Sequence, residues 1–151
     1  MGDDRVLLVA SSASDGHDPV PGHPEGPERL RAVLAGAHSL GLGDAMPVIE
    51  PRAARFDELA AVHDPRYVEA LDELCRNGGG RLDADTAAGP GSWAAATMAA
   101  GAGLEAVARL RAGEAGAAFG AGGNSCSRTS ARRAAAGPVP PGPGPPPPAP
   151  R

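Results

Sequence analysis

The chain has 151 residues and a formal charge of −4, and all fourteen of its basic residues are arginine. That length suits one domain whose core buries roughly two-thirds of the unfolded surface, and the charge is too small to argue for a nucleic-acid partner. No apolar run approaches the ~20 residues of a membrane span, and the only cysteines, Cys75 and Cys126, suit neither a disulfide framework nor a zinc knuckle.

Asp3 and Asp4 precede an apolar run of only five residues, VLLVA, which is unlike a signal peptide. A cytoplasmic setting is the expectation. RVLLV (5–9) reads as a strand buried on both faces, because its apolar residues are continuous rather than alternating. From Pro27 to about Leu40, residues Leu30, Val33, Leu34, Ala37 and Leu40 follow helical spacing, with Gly41 or Gly43 as the stop. MPVIE (46–50) is a second strand. FDELAAVH (56–63) is a short helix, and Asp64-Pro65 opens another that presents Val68, Leu71, Leu74 and Cys75 on one face. The glycines after Asn77 end it.

RLDADTAAGPGS (81–92) reads as a loop. Residues 93–113 form a long helix rich in Ala and Gly, stopped by Gly113, and GAAF (116–119) is a third strand. Strands alternating with helices imply an α/β domain with a parallel sheet. Past Phe119 the composition changes. Residues 120–151 hold nine Pro and six Gly, four Arg and no acid, and Val139 is their only apolar residue larger than Ala or Cys. Such a segment buries too little surface to offset the entropy of ordering it, so it reads as a disordered tail. The division expected is therefore 1–119 and 120–151.

Several stretches carry polar groups worth weighing. His17, Asp18, His23 and Glu25 have metal-ligand chemistry, but no helix or strand fixes their spacing. A pocket-edge loop accounts for them better, with metal binding and a solvated loop as the alternatives. Glu28 and Arg29 fall in a first helical turn, where an acid suits the helix dipole. Asp83 and Asp85 fit turn formers and caps better than paired acid–base carboxylates, and His63 fits a packing or capping role. Trp93, at the head of its helix, fits a core anchor. GAGGNS (120–125) fails the dinucleotide-loop pattern at Ser125, and the PxxP matches in the tail are what any proline-rich segment gives.

Four segments in order resemble one family: HDPVPGHPEGPERLRAV, AAVHDPRYVEAL, GGGRLDADTAAGPGSWAAATMAAGAGLEAV and GEAGAAF. Together they are similar to the start of zinc-dependent histone-deacetylase-like proteins, in particular the bacterial branch with acetoin-utilization and acetylpolyamine deacetylase proteins. The resemblance spans about residues 5–119. It implies the N-terminal part of a three-layer α/β/α fold of arginase/deacetylase type, built on an eight-stranded parallel sheet. It also implies hydrolysis of an N-acetyl amide, on an acetylated small molecule or an acetyl-lysine protein, by a zinc-bound water aided by a His pair and a Tyr. By the same match His23 and Pro24 shape the pocket wall, Arg29 faces an internal channel and Asp85 is the rim acid that holds the substrate backbone. None of these four is a metal ligand.

The family's catalytic His pair would fall near Ser127 and Arg128. No His follows His63 and no acid follows Glu114, so no catalytic residue and no zinc site are expected in this chain. The expectation is a chain inactive alone, with the change of composition pointing to a shifted reading frame or a truncated gene product. The third strand would also lose its inner neighbour and leave an apolar edge open to self-association or to a partner chain. The alternative function is a non-catalytic interaction module that uses that edge and the tail.

Overall fold

The structure is a computed structural model and describes residues 5–17, 28–43, 45–84, 86–121 and the backbone of 126–130. Its centre is β1 (Val6–Ala10), with parallel neighbours on both sides. On one side lies β2 (Val48–Ile49), with Leu8 opposite Val48. On the other lies β5 (Ala117–Ala121), with Leu8 opposite Phe119. Between them in sequence come α1 (Glu28–Ser39), α2 (Phe56–Ala60), α3 (Pro65–Arg76) and α4 (Ser92–Arg111).

The continuous apolar run of β1 is explained by what covers it. Leu7 and Val9 point to one face and pack with Ala102, Ala106 and Leu110 of α4. Leu8 and Ala10 point to the other and pack with Leu30, Val33, Leu34 and Ala37 of α1. A strand with a helix layer on each side needs apolar residues at every position. The result is the expected α/β/α layering around a parallel sheet. Among the described residues no helix is long and apolar enough to cross a membrane.

Helix ends follow the sequence signals closely. The Asp64 carboxylate accepts from Arg66 N at 2.8 Å and caps α3, with Pro65 in the first turn. Then α1, α3 and α4 stop in one way. Gly41, Gly78 and Gly113 take positive φ, and in each case the next amide reaches back to a carbonyl five residues earlier: Leu42 to Ala37, Gly79 to Leu74, Glu114 to Arg109. Because α1 ends at Ser39, Leu40 leaves the helical face assigned to it and stands 74% exposed.

Three elements differ from expectation. The segment read as a loop contains a small antiparallel hairpin, β3 (Gly80–Arg81) with β4 (Ala87–Ala88). Two residues per strand give no alternation to read, so backbone pairing alone makes it. Next, β5 continues to Ala121, two residues past the Phe119 boundary. Finally, β6 (Cys126–Ser130) lies inside the segment read as disordered and pairs antiparallel with β5, giving the order β2-β1-β5-β6. The edge of β5 that the sequence reading leaves unpaired is thus occupied. Its partner needs no apolar content, since the pairing is made by main-chain N–H and C=O groups that would otherwise lack partners. Residues 122–125 and 131–151 lie outside the described residues.

One surface device fixes the chain between β2 and α2. Arg52 grips Glu58 with two hydrogen bonds of 2.7 and 2.6 Å, and the same carboxylate accepts from Arg55 N at 2.7 Å. The Arg52 guanidinium, then the Arg55 amide, lower the Glu58 pKa from the ordinary 4.5 to about 2. A carboxylate lowered in the folded state contributes stability above pH 4.5 and loses it as pH falls toward 2. The carboxyl carbon of Glu58, followed by NMR, is expected to titrate with a midpoint near 2. A midpoint of 4.5 would mean that the grip does not persist in solution.

Candidate functional site

In an open parallel sheet, ligands bind beyond the carboxyl ends of the strands, where connecting loops diverge. Here those ends are Ala10 of β1, Ile49 of β2 and Ala121 of β5. The residues just beyond them form a small polar rim. Ser11, buried at the end of β1, donates its hydroxyl proton to the Glu50 carboxylate at the end of β2, and its Oγ accepts from Ala13 N at 3.2 Å. A 3-10 turn over Ser12–Gly16 follows and packs against the start of α4.

That packing depends on a glycine pair. A Cβ on Gly91 would stand 2.0 Å from the carbonyl oxygen of Gly16, so the two backbones touch where no side chain fits. Beside them, His17 Nδ1 lies 2.7 Å from Ser92 Oγ, and that hydroxyl also accepts from Gly89 N at 2.8 Å. Serine and imidazole at this distance have the spacing of a nucleophile and its base. Ser92, however, is only 8% exposed and its oxygen is already engaged by the turn before α4. The pair therefore holds His17 and the 3-10 turn in place rather than attacking a substrate. On the outer side, Arg31 of α1 reaches Asp15 at 3.2 Å, tying the first turns of α1 to the same rim.

Of the residues singled out by sequence, Arg29 sits exposed in the first turn of α1, two residues before Arg31. His23 and Pro24 lie outside the described residues, as do Asp18 and Glu25, and so does Asp85. Its neighbour Asp83 forms the expected turn, its carboxylate accepting from Thr86 N at 2.8 Å. His63 is exposed and its ring lies tilted beside that of Tyr67, with centroids 6.2 Å apart. Trp93 is half-buried. Backbone positions 127 and 128, where the resemblance puts the His pair, lie on β6 opposite Gly120 and Phe119, and hold Ser127 and Arg128. Sequence reasoning missed Ser11, Glu50 and Ser92. The signal for the first two was present, since Ser11 directly follows the apolar run of the first strand and Glu50 is the last residue of the run read as the second.

Zinc is the metal that the resemblance implies, and the donors among the described residues do not make a ligand set for it. Among the described residues, no three His, Cys, Asp or Glu side chains converge to hold an ion. His17 and Glu50, close after the strand ends in sequence, are each hydrogen-bonded to a serine. Cys75, buried on α3, is apart from both.

The histone deacetylase domain profile matches residues 23–128, about seven-tenths of the sequence. The chain belongs to the histone deacetylase domain family. It is 36% identical over 96 residues to a probable deacetylase of Methanothermobacter thermautotrophicus, covering 64% of this chain and 28% of that one. To a histone deacetylase-like amidohydrolase of Pseudomonas aeruginosa it is 34% identical over 94 residues, covering 62% and 25%. The crystal structure of the HDA15 HD domain superposes with a TM-score of 0.71 at 26% identity, covering 78% of this chain and 34% of that one. The family chain described here thus spans about a quarter to a third of the length of these relatives, and its three parallel strands account for only part of their fold.

Proposed function

We propose that these residues form the N-terminal part of a zinc-dependent deacetylase of the bacterial acetoin-utilization and acetylpolyamine branch, and that they supply the rim of its substrate channel but not its catalytic centre. In this reading His23 and Pro24 belong to the pocket wall, Arg29 to the internal channel and Asp85 to the rim. It is supported by the position of α1, whose first turns are tied through Arg31 and Asp15 to the loops at the strand ends. The substrate class of the whole enzyme would be an N-acetyl amide, on a small molecule or on lysine. The expected setting is cytoplasmic.

The observation that carries the proposal is the run of residues after β5. Hydrolysis of an amide at neutral pH needs an activated water, a proton carrier and a group to steady the oxyanion. After Glu114 the sequence holds no acid, no His and no Tyr to perform any of these. The 151-residue chain is therefore expected to show no turnover of a fluorogenic acetyl-lysine substrate or of an N-acetylated diamine, with or without added zinc. Zinc-dependent turnover of either substrate by the purified chain would overturn the proposal.

A further inference from the structure

A cavity of about 200 Å³ lies where α2 and α3 meet the first half of α4, lined by none of the residues of the strand-end rim. We infer that it binds a small neutral aromatic molecule, a single ring with one polar substituent, of the size and chemistry of a phenol. The inference does not rest on the deacetylase reading.

Size is the first argument. An apolar cavity of about 150 Å³ is enough to hold benzene in a protein core, so about 200 Å³ has room for one ring with a small substituent. Polarity is the second. No Asp, Glu or Arg side chain lines the cavity, and a charge carried into its interior, away from His63 and Tyr67, would lose its water without gaining a partner. The one hydroxyl inside, that of Thr97, is spent on the carbonyls of Trp93 and Ala94 at 3.0 and 3.1 Å.

The rings supply the third. The chain has four Phe, Trp and Tyr residues in all, and its only Trp and only Tyr, Trp93 and Tyr67, both line this one cavity. Aromatic faces and edges favour an aromatic guest over an aliphatic one of equal size, because the ring quadrupoles align. Apart from the spent Thr97 hydroxyl, the polar side chains of the lining are those of His63 and Tyr67. Tyr67 is 51% exposed, and the His63 ring stands beside it with centroids 6.2 Å apart and planes tilted by 51°. A guest with its ring against Trp93 and its hydroxyl between Tyr67 and His63 matches that division of apolar interior and polar rim.

Because Trp93 is the only tryptophan, its fluorescence reports the cavity directly. Titration of the 151-residue chain with para-cresol is expected to give a saturable change. Benzoate, which adds a charge, and cyclohexanol, which removes the aromaticity, are each expected to bind about tenfold more weakly. Ala100→Leu fills the cavity from a half-buried helix position and should weaken para-cresol at least about tenfold while leaving the circular dichroism spectrum unchanged. Tyr67→Phe keeps the ring and removes the hydroxyl. It should weaken para-cresol while leaving toluene unaffected.

A linear, unsaturable response would overturn the inference, as would equal binding of cyclohexanol or full binding by a folded Ala100→Leu variant. If the fluorescence instead follows protein concentration, and sedimentation shows self-association that Ala100→Leu abolishes, the cavity is a protein contact and the inference is wrong.

Discussion

Gly101→Ala is expected to cost the fold about 3 kcal/mol, at the upper end of what overpacking usually costs. The methyl group would stand 1.8 Å from the carbonyl oxygen of Arg52 and 3.0 Å from Ala54 N. Both are backbone atoms, so no rotamer change relieves the contact. The segment 51–55 crosses α4 at this point, and Ala54 N donates to the Thr97 carbonyl at 2.8 Å. Separating the two breaks that bond and displaces Arg52 from its grip on Glu58. At roughly 2–4 °C for each kcal/mol in a chain of about this length, the midpoint of thermal unfolding should fall by roughly 6–12 °C. Gly103 gives the internal control. It lies in the same helix two residues on, and nothing stands within 4 Å of its added Cβ. There the substitution to Ala removes only the helix penalty of glycine and should stabilise by up to about 1 kcal/mol. Thermal melts that moved the same way for both variants would contradict this packing.

Leu8→Ala should cost a similar amount, about 3 kcal/mol within the usual range for a buried leucine. Leu8 is 1% exposed at the middle of the central strand, between Val48 and Phe119 and against the α1 layer. Its removal leaves a void between the sheet and α1, among close-packed side chains such as Leu30 and Ala121 that fill it only in part. Leu40→Ala, by contrast, removes a side chain that is 74% exposed and should change stability by no more than about 0.5 kcal/mol. Urea unfolding of the two variants measures the difference. Equal losses would mean that the layers around β1 are not packed as described.

The contrast between Leu8 and Leu40 also shows what the sequence carries and what it does not. Five consecutive apolar residues bounded by polar ones left β1 no alternative to a central, doubly covered strand. The Asp64-Pro65 start of α3 and the glycine stops were equally legible, because capping is local chemistry. Leu40 was misplaced because helical periodicity does not itself say where the helix ends. β3, β4 and β6 were invisible for another reason. Their pairing is main-chain to main-chain, and residues such as CSRTS or GR carry no pattern that announces a neighbour. The rim suffered in the same way. Ser92 touches His17 across seventy-five positions of sequence, a contact set by the approach of Gly16 and Gly91 and not by any motif. The family, on the other hand, was readable from four short segments in order.

The chain's metal content tests the central claim most directly. After expression with zinc in the medium and removal of loosely held metal, the purified chain is expected to retain none, because no described side chains form a ligand set and no His or acid follows Glu114. One equivalent of tightly held zinc per chain would contradict the account, and would place a metal centre within residues that are read here as a channel rim.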